Sequence, residues 1–278
     1  MGIFELVLDS RDEALTGRML ADGLGLTRAE DGAYQLGSLL VQVRRVDATA
    51  PAGPAELIMR VPDPDELTGR LTDEGHQAVD GLVDIHGIKL RPAAERSAAP
   101  VRLSGNVLDV DHIGVASDNS VGQTDALIRV LGFEQESRQI DTQLEQPLEI
   151  FSSDTYGVVS HAGPPRPAGA LLVTFLRRAG VDLELLEDIM TEHETPTGGA
   201  GSTTGDNRAI SRYVQRRGPG LHHLAVRVAD ITEGLARLRD AGIPLIDERG
   251  RPGSRRGLIA FADRRGTGGV VLHLVQRP

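Results

Sequence analysis

The segment that decides the fold is "LHHLAVRVADITEGLARLRDAGI", residues 221–243. It opens with an apolar run of strand length and then changes to apolar residues at every third or fourth position, which is helical spacing. Between the two parts, Asp230 is followed three residues later by Glu233, the capping-box pattern that begins a helix. Gly242 stands where a glycine ends one. The segment therefore predicts a β-strand followed by an α-helix.

The same pattern occurs three more times, in units that begin near residues 3, 55 and 109. Recurrence of one supersecondary pattern is the signature of a repeat architecture. The predicted helix caps of these units are Ser10 with Glu13, Asp63 with Glu66 ahead of Pro64, and Asp118. Apolar, β-rich segments follow each helix. We therefore predict an α+β fold in which four tandem βαβββ modules form two cup-shaped mixed-sheet domains.

Two polar segments predict the domain organisation. "RPAAERSAAPVRLSG", residues 91–105, is rich in Ala and Pro and marks a boundary. Residues 191–206 have low complexity and predict a flexible loop, because a structureless segment of this length is uncommon inside a compact domain. The predicted division is a first domain 1–92, a linker 93–107 and a second domain 108–278, with units 108–190 and 219–278.

Composition limits the classes of function. Lys and Arg total 30 against 40 Asp and Glu, a formal net charge of −10, which argues against nucleic acid or an anionic membrane as partner. The chain has no cysteine, so disulfides, thiolate metal sites and a cysteine nucleophile are excluded. The first residues lack the pattern of a signal peptide. We expect a cytoplasmic protein that acts on a small molecule and could assemble as a homodimer.

The segment above and three others resemble the vicinal oxygen chelate superfamily of glyoxalases, bleomycin resistance proteins and extradiol dioxygenases. The other three are "VDHIGVAS", "VDLELLED" and "GIPLIDERGRPGSRRGLIAFADRRGTGGVVLHL". The resemblance is strongest over residues 108–278, where the sequence motifs are most similar to those of methylmalonyl-CoA epimerases. It implies a cup that holds one divalent metal ion.

The ligands that the resemblance implies are His112, Glu184, His223 and His273. The fourth place usually carries a glutamate in the superfamily, so His273 is a departure. Imidazole and carboxylate ligands favour a first-row divalent metal: Fe, Mn, Co, Ni or Zn. Because successive side chains of a strand face opposite sides, His222 is expected to point away from the site that His223 enters.

The first domain repeats the pattern without the histidines. Its residues at the four ligand places are Glu5, Gln42, Glu56 and Gly87. We interpret it as a degenerate, metal-free copy that supports the second domain.

A metal in such a cup predicts an epimerase or isomerase that transfers a proton next to a carbonyl. Glu184 and His273 are the catalytic candidates, and His161 and Tyr156 are other candidate bases. The substrate would be an acyl-CoA thioester, a keto-sugar or a hydroxy-ketone. The alternatives are an Fe(II) dioxygenase of the extradiol or hydroxyphenylpyruvate type, a glyoxalase-type lyase, and a metal-free drug-binding protein.

Arginines are concentrated in residues 248–266, against the acidic balance of the chain. A guanidinium pairs well with a carboxylate or a phosphate, so these side chains are candidates for substrate contact; a solvated loop is the alternative. The candidate arginines of this segment are Arg251, Arg255, Arg256, Arg264 and Arg265.

Overall fold

The computed structural model describes residues 2–94, 103, 105–178, 180–190 and 208–278, with the backbone alone for residues 2–4. The first sheet and its helices comprise β1 (Gly2–Ser10), α1 (Glu13–Arg18), β2 (Tyr34–Leu36), β3 (Leu39–Arg45), β4 (Gly53–Val61), α2 (Pro64–Asp73), β5 (Gln77–Val79), β6 (Leu82–Ile85) and β7 (Ile88–Ala94). A π-helical segment, Met19–Gly23, continues α1.

The second half begins with β8 (Val107–Ser117), α3 (Ser120–Leu131), β9 (Glu134–Glu145), β10 (Leu148–Ser153), β11 (Gly157–Ala162), β12 (Arg166–Arg178) and β13 (Val181–Asp188). It continues with α4 (Ala209–Arg217), β14 (Gly220–Val228), α5 (Ile231–Asp240), β15 (Arg251–Pro252), β16 (Leu258–Phe261) and β17 (Leu272–Gln276). The predicted loop 191–206 lies outside the described residues.

The two sheets are built on the same plan. The first has the strand order β2-β3-β1-β4-β7-β6-β5, and the second has the order β15-β16-β17-β14-β8-β13-β12-β9. In each sheet a central antiparallel pair, β1 with β4 or β8 with β14, is flanked on both sides by parallel neighbours. This confirms the predicted α+β fold with two curled mixed sheets.

The repeat units differ in detail. The second and fourth have three strands after the helix; within the described residues the first has only two, β2 and β3. The third carries an additional hairpin, β10–β11, which pairs as a separate two-stranded sheet. Helix α4 lies between the third and fourth units and has no counterpart in the predicted repeat.

Two helix starts agree with the sequence patterns. The carboxylate of Asp63 accepts from the backbone N–H of Glu66, and that of Asp230 accepts from the N–H of Glu233, each at 2.9 Å. Gly132 ends α3 in the left-handed conformation, with a φ of 68°. These caps satisfy backbone groups that a helix end leaves without partners.

The other two predicted caps are wrong. Asp12, not Ser10, caps α1, accepting from two backbone N–H groups. Ser10 is fully buried and its hydroxyl bonds to that of Thr16 at 2.6 Å, because β1 continues through this residue. Asn119 caps α3 in place of Asp118, since the extended residue before the helix falls one position later.

The two halves share one apolar core. Its cluster of buried side chains draws on strands of both sheets, from Leu6 in β1 to Leu274 in β17. The packing is close: a Cβ added to Gly23 would lie 2.8 Å from Leu238 of α5. Within the described residues, no helix is long and apolar enough to cross a membrane. The cytoplasmic location and the homodimer stay predictions.

Candidate metal centre

Four neighbouring strands of the second sheet carry the predicted ligands in two adjacent rows. The strands are β13, β8, β14 and β17. One row across the sheet contains Glu184, Gly114 and His223; the next contains His112, Ala225 and His273. Paired residues of neighbouring strands face the same side, so the four ligand candidates project from one face.

The four side chains converge. Glu184 Oε2 lies 3.1 Å from His112 Nε2 and 3.3 Å from His223 Nε2, and the two Nε2 atoms are 3.1 Å apart. One ring nitrogen from each of these histidines and from His273 falls within a 4.8 Å group. All four residues are buried, with at most 5% of any one exposed.

Gly114 makes room for the cluster. A Cβ at this position would lie 2.0 Å from His223 Cε1, so the imidazole lies directly over the glycine backbone. Any larger residue would displace the ring from its place in the cluster. The neighbouring row has a small residue, Ala225, between His112 and His273. Small residues at the centre of both rows let the flanking side chains meet above the sheet.

His273 provides the test of whether these residues suit a metal ion. Its Nδ1 and Nε2 are both buried, and neither has a hydrogen-bond partner among the described residues. Its ring instead packs near those of His223, at 4.7 Å between centroids, and Phe261, at 4.5 Å. Buried polar atoms in proteins almost always have partners. Three imidazoles and one carboxylate are also a donor set typical of first-row divalent metals, so the residues fit.

An outer pair of charged residues orients His112. Asp111 Oδ1 lies 2.7 Å from His112 Nδ1, and Arg277 donates from Nε to Asp111 Oδ2 at 2.9 Å. A carboxylate only accepts, so the proton of the neutral imidazole is placed on Nδ1 and Nε2 is left to bind. The pKa of Asp111 lies well below its usual range: burial would raise it, but His112 and Arg277 outweigh burial.

The expectation that His222 points away from the site is wrong. The register of β14 against β8 shifts between Leu221 and His223, which is a β-bulge that breaks the alternation of side chains. Both histidines line the same cavity, and their Nδ1 atoms are 3.0 Å apart. Burial, followed by the nearby charges of His223 and Arg264, lowers the pKa of His222 to about 3. A neutral His222 can accept the Nδ1 proton of His223 and free its Nε2 for a metal.

The electrostatics keep three of the four ligand candidates in metal-binding forms. Burial would raise the pKa of Glu184, but His112 and His223 hold it well below its usual range. Burial lowers the pKa of His223 and, with the two neighbouring imidazoles, that of His273. Burial would also lower the pKa of His112, but Glu184 and Asp111 outweigh burial and raise this pKa to about 9. A metal ion would displace this one proton, since ligands bind deprotonated.

The cluster forms the inner wall of a cavity of about 750 Å³. Apolar side chains line part of it: Leu171, Leu186, Ile246, Ile259 and Phe261. The other candidate bases, His161 and Tyr156, are not among its lining residues; they lie on and beside the exposed hairpin β10–β11, and the His161 side chain is 71% exposed. The structure therefore does not bring these two residues to the site.

A family model described as the Glyoxalase/Bleomycin resistance protein/Dioxygenase superfamily matches residues 111–261, more than half of the chain. The chain belongs to this superfamily. A curated relative, the uncharacterized protein YqjC of Bacillus subtilis (strain 168), is 31% identical over 104 residues. That match covers 37% of this chain and 64% of YqjC, so the chain spans less than two thirds of that relative.

Solved structures of similar fold include a mutant of 4-hydroxymandelate synthase from Streptomyces coelicolor. It has a TM-score of 0.65 and 16% identity and covers 99% of this chain and 92% of its own. Methylmalonyl-CoA epimerase from Mycobacterium tuberculosis has a TM-score of 0.45 and 22% identity, covering 63% of this chain and 92% of its own. The first similarity shows that the fold shared with 4-hydroxymandelate synthase extends through both halves of this chain.

The register of the first sheet identifies the positions equivalent to the four ligand candidates. Ala225 pairs with both His112 and His273, and its counterpart Ile58 pairs with Glu5 and Arg91. The equivalent residues are Glu5, Gln42, Glu56 and Arg91. The choice of Gly87 is therefore wrong: it lies in the turn before β7, with a φ of 90°.

Ion pairs fill this equivalent place in the first half. The partners are Arg60 and Gln42 for Glu5, and Arg44 and Arg91 for Glu56. Glu5 is fully buried, and Glu56 is 7% exposed. Burial would raise the pKa of Glu56, but the two arginines outweigh it and lower the pKa. Guanidinium groups thus neutralise the carboxylates that a metal would need as ligands.

The candidate arginines of residues 248–266 differ in role. Arg251 and Arg264 line the cavity. Arg255 lies over the Phe175 ring, 3.5 Å from its centroid, and its Nη1 bonds to Asp182 at 2.7 Å, so it supports the wall beside the cluster. Arg265 is 84% exposed and pairs with Asp263, as expected for a solvated loop.

Sequence reasoning missed three contributors to the site. Asp111 precedes His112 directly, and an acidic neighbour of a candidate ligand is a detectable signal. Gly114 gives no signal by itself, because the need for space arises from a different strand. Helix α4 and its arginines, which line the cavity, could have been found from the apolar spacing of "AISRYVQRR".

Proposed function

We propose that this chain is a metal-dependent epimerase or isomerase that moves a proton next to a carbonyl in a small substrate with two neighbouring oxygens. One observation carries the proposal. Three buried imidazoles and one carboxylate converge at the wall of a cavity. Neither ring nitrogen of His273 has a hydrogen-bond partner among the described residues.

His112, Glu184, His223 and His273 would hold one divalent first-row metal: Fe, Mn, Co, Ni or Zn. When bound, the ion supplies a Lewis acid that polarises a substrate carbonyl and stabilises the negative charge left by proton removal. Only one of the four ligands is anionic. The ligand set therefore leaves net positive charge where an enolate would form.

The fourth ligand favours proton transfer over oxygen chemistry. Iron oxygenases typically use two histidines and one carboxylate and keep the remaining positions open for substrate and dioxygen. His273 would take one of those positions. A substrate that binds through two oxygens can still be accommodated, but room for dioxygen beside it is lost.

The residues of the chain divide the remaining tasks. Glu184 is the proposed proton acceptor as well as a ligand, because its carboxylate is ionised and reaches the cavity. Asp111 and His222 hold the rings of His112 and His223 through their Nδ1 atoms. Apolar wall residues, including Leu186 and Phe261, limit access of water to a carbanion.

The test is proton exchange in deuterated water without dioxygen. The metal-loaded protein is incubated with a panel of acyl thioesters, keto-sugars and hydroxy-ketones, and deuterium is measured at the carbon next to the carbonyl. Exchange should require metal, disappear in His223→Ala and persist in His161→Ala, which changes an exposed hairpin residue. Metal-dependent dioxygen consumption without exchange would establish the dioxygenase alternative, and tight binding by metal-free protein would establish a binding protein.

We further propose that residues 1–92 form a domain without a metal, joined by the linker 93–107 to the metal-binding domain 108–278. The support is the set of ion pairs at the equivalent place, where arginines pair with both carboxylates.

A further inference from the structure

A cluster of arginines lies at the exposed edge of the cavity that the buried ligand candidates line. Arg216 and Arg217 end helix α4, Arg264 follows β16, and all three are exposed residues that line the cavity. Arg11, from the connection between β1 and α1, lies beside them. We call these four residues the outer arginines. From this arrangement we infer that the outer arginines bind an oxyanion group, phosphate or carboxylate, of the substrate.

Backbone contacts bring the outer arginines together from distant segments. Arg11 donates its backbone N–H to Gly268 O at 3.0 Å, and Gly269 donates to Arg264 O at 3.0 Å, so both arginines are fixed to one loop. Arg11 Nε donates to Ala50 O at 2.8 Å, and Arg217 Nη1 donates to Ala52 O at 3.0 Å. The cluster thus forms where the first half of the chain meets the cavity.

Among the described residues, the four arginines of this cluster have no ion-pair partner. Within the part of the chain that the structure describes, no carboxylate forms an ion pair with any outer arginine, whereas Asp263, the nearest in sequence, pairs with Arg265. Partial burial of its guanidinium, then the charges of Arg217 and Arg11, lower the pKa of Arg264. The negative end of the helix dipole stabilises the charges of Arg216 and Arg217 at the C-terminus of α4. Arg11 and Arg264 lie outside this helix, so the dipole does not account for their positions. In a chain of net charge −10, uncompensated cations at a cavity indicate an anionic ligand.

A continuous wall of rings connects the metal centre to the outer arginines. The His223 and His222 rings are 5.3 Å apart, the His222 and Tyr213 rings are 4.9 Å apart, and Arg217 Cζ lies 5.2 Å from the Tyr213 ring. Three successive contacts therefore connect His223 to Arg217 along one wall of the cavity. A substrate that reaches both ends must be elongated.

The chemistry of the substrate's reacting end rests on the proposed function. The outer arginines add the chemical class of its other end. The substrate class is an elongated molecule with two neighbouring oxygens at one end and a phosphate or carboxylate at the other, such as a phosphorylated hydroxy-ketone. Guanidinium groups bind both oxyanions through paired N–H donors, so the two share one recognition chemistry.

The test compares a double variant with a matched control. Arg216→Gln/Arg264→Gln removes two outer arginines that line the cavity, and Arg265→Gln removes the adjacent, exposed arginine that pairs with Asp263. Inorganic phosphate and succinate are titrated by calorimetry into each metal-loaded protein, with metal content measured in parallel. We expect the double variant to bind phosphate at least ~10-fold more weakly, and the control to match the unmodified protein. Whichever anion binds more tightly identifies the oxyanion.

Two results would overturn the inference: equal binding by the double variant, or binding lost only in His223→Ala, which would place phosphate at the metal. If the double variant is unstable, single Arg216→Gln and the salt dependence of binding serve instead; affinity unaffected by salt would contradict an electrostatic site. Failure of the proposed function looks different. Arginine-dependent phosphate binding without deuterium exchange would leave the subsite in place and reject only the proton-transfer reaction.

Discussion

At the scale of single residues, the site depends on groups that hold the ligand candidates rather than on those candidates alone. His222 is the clearest case, because its Nδ1 lies 3.0 Å from that of His223. A neutral imidazole there fixes which nitrogen of His223 carries the proton and the direction of the ring. The local feature that makes this possible is one bulged residue in β14.

Replacing His222 by Ala should weaken metal affinity about 10–100-fold, because His223 loses the group that orients it. At saturating metal the variant should still bind one ion, whereas His223→Ala should not. Competition with a chromophoric chelator measures the affinities, and His161→Ala is the surface control. An unchanged affinity in His222→Ala would show that the contact between the two Nδ1 atoms does not orient the ligand.

Replacing Gly114 by Ala should remove metal binding while the protein remains folded. The new Cβ would overlap the His223 ring, at 2.0 Å from Cε1, so the imidazole must leave its place beside Glu184. Gly69→Ala is the matched control, since no atom lies within 4 Å of a Cβ there. Metal content by mass spectrometry together with circular dichroism would decide; a Gly114→Ala protein with full metal content would contradict the geometry.

At the scale of elements, helix starts illustrate how strand ends and caps depend on each other. The sequence offers both Ser10 and Asp12 before α1, and the structure uses Asp12 because β1 runs through Ser10 and buries it. The Ser10 hydroxyl then bonds with Thr16, whose own hydroxyl donates to Thr267 O at 2.9 Å. Ser10, which could have capped α1, thus takes part in a hydrogen-bond chain that connects the two halves of the sequence.

Replacing Asp12 by Ala should lower the free energy of unfolding by about 1 kcal/mol, the usual cost of losing a helix cap. Asp12→Asn keeps an oxygen acceptor and should cost much less. Urea unfolding followed by circular dichroism measures both. Equal losses for the two variants would indicate that the carboxylate acts through its charge rather than by accepting the N–H groups of Ala14 and Leu15.

At the scale of the whole molecule, one architecture is used twice with different chemistry in equivalent places. The second sheet gathers three imidazoles and a carboxylate, and the first gathers carboxylates that arginines neutralise. The first half is nevertheless more than a support, because the carbonyl oxygen of Ala52 accepts a hydrogen bond from Arg217, which lines the cavity.

Replacing Glu56 by Gln should leave one metal per chain, because Glu56 pairs with arginines and is not a ligand. The comparable change Glu184→Gln should reduce metal content strongly, since Glu184 supplies the only anionic ligand of the cluster. Metal content of the purified proteins measures both. Loss of one of two bound ions in Glu56→Gln would contradict a metal-free first half.

The sequence by itself determined the repeat, the α+β fold and the strands that carry His112, Glu184, His223 and His273. These follow from short-range patterns: apolar periodicity, caps and residue types within each strand. Only the tertiary structure decided that His222 lines the cavity and that Arg11 lies near Arg264. It also decided that Arg91, not Gly87, occupies the position of the first sheet that is equivalent to His273. Bulges, strand register and contacts between distant segments decide these points, and they depend on packing between strands that no local pattern encodes.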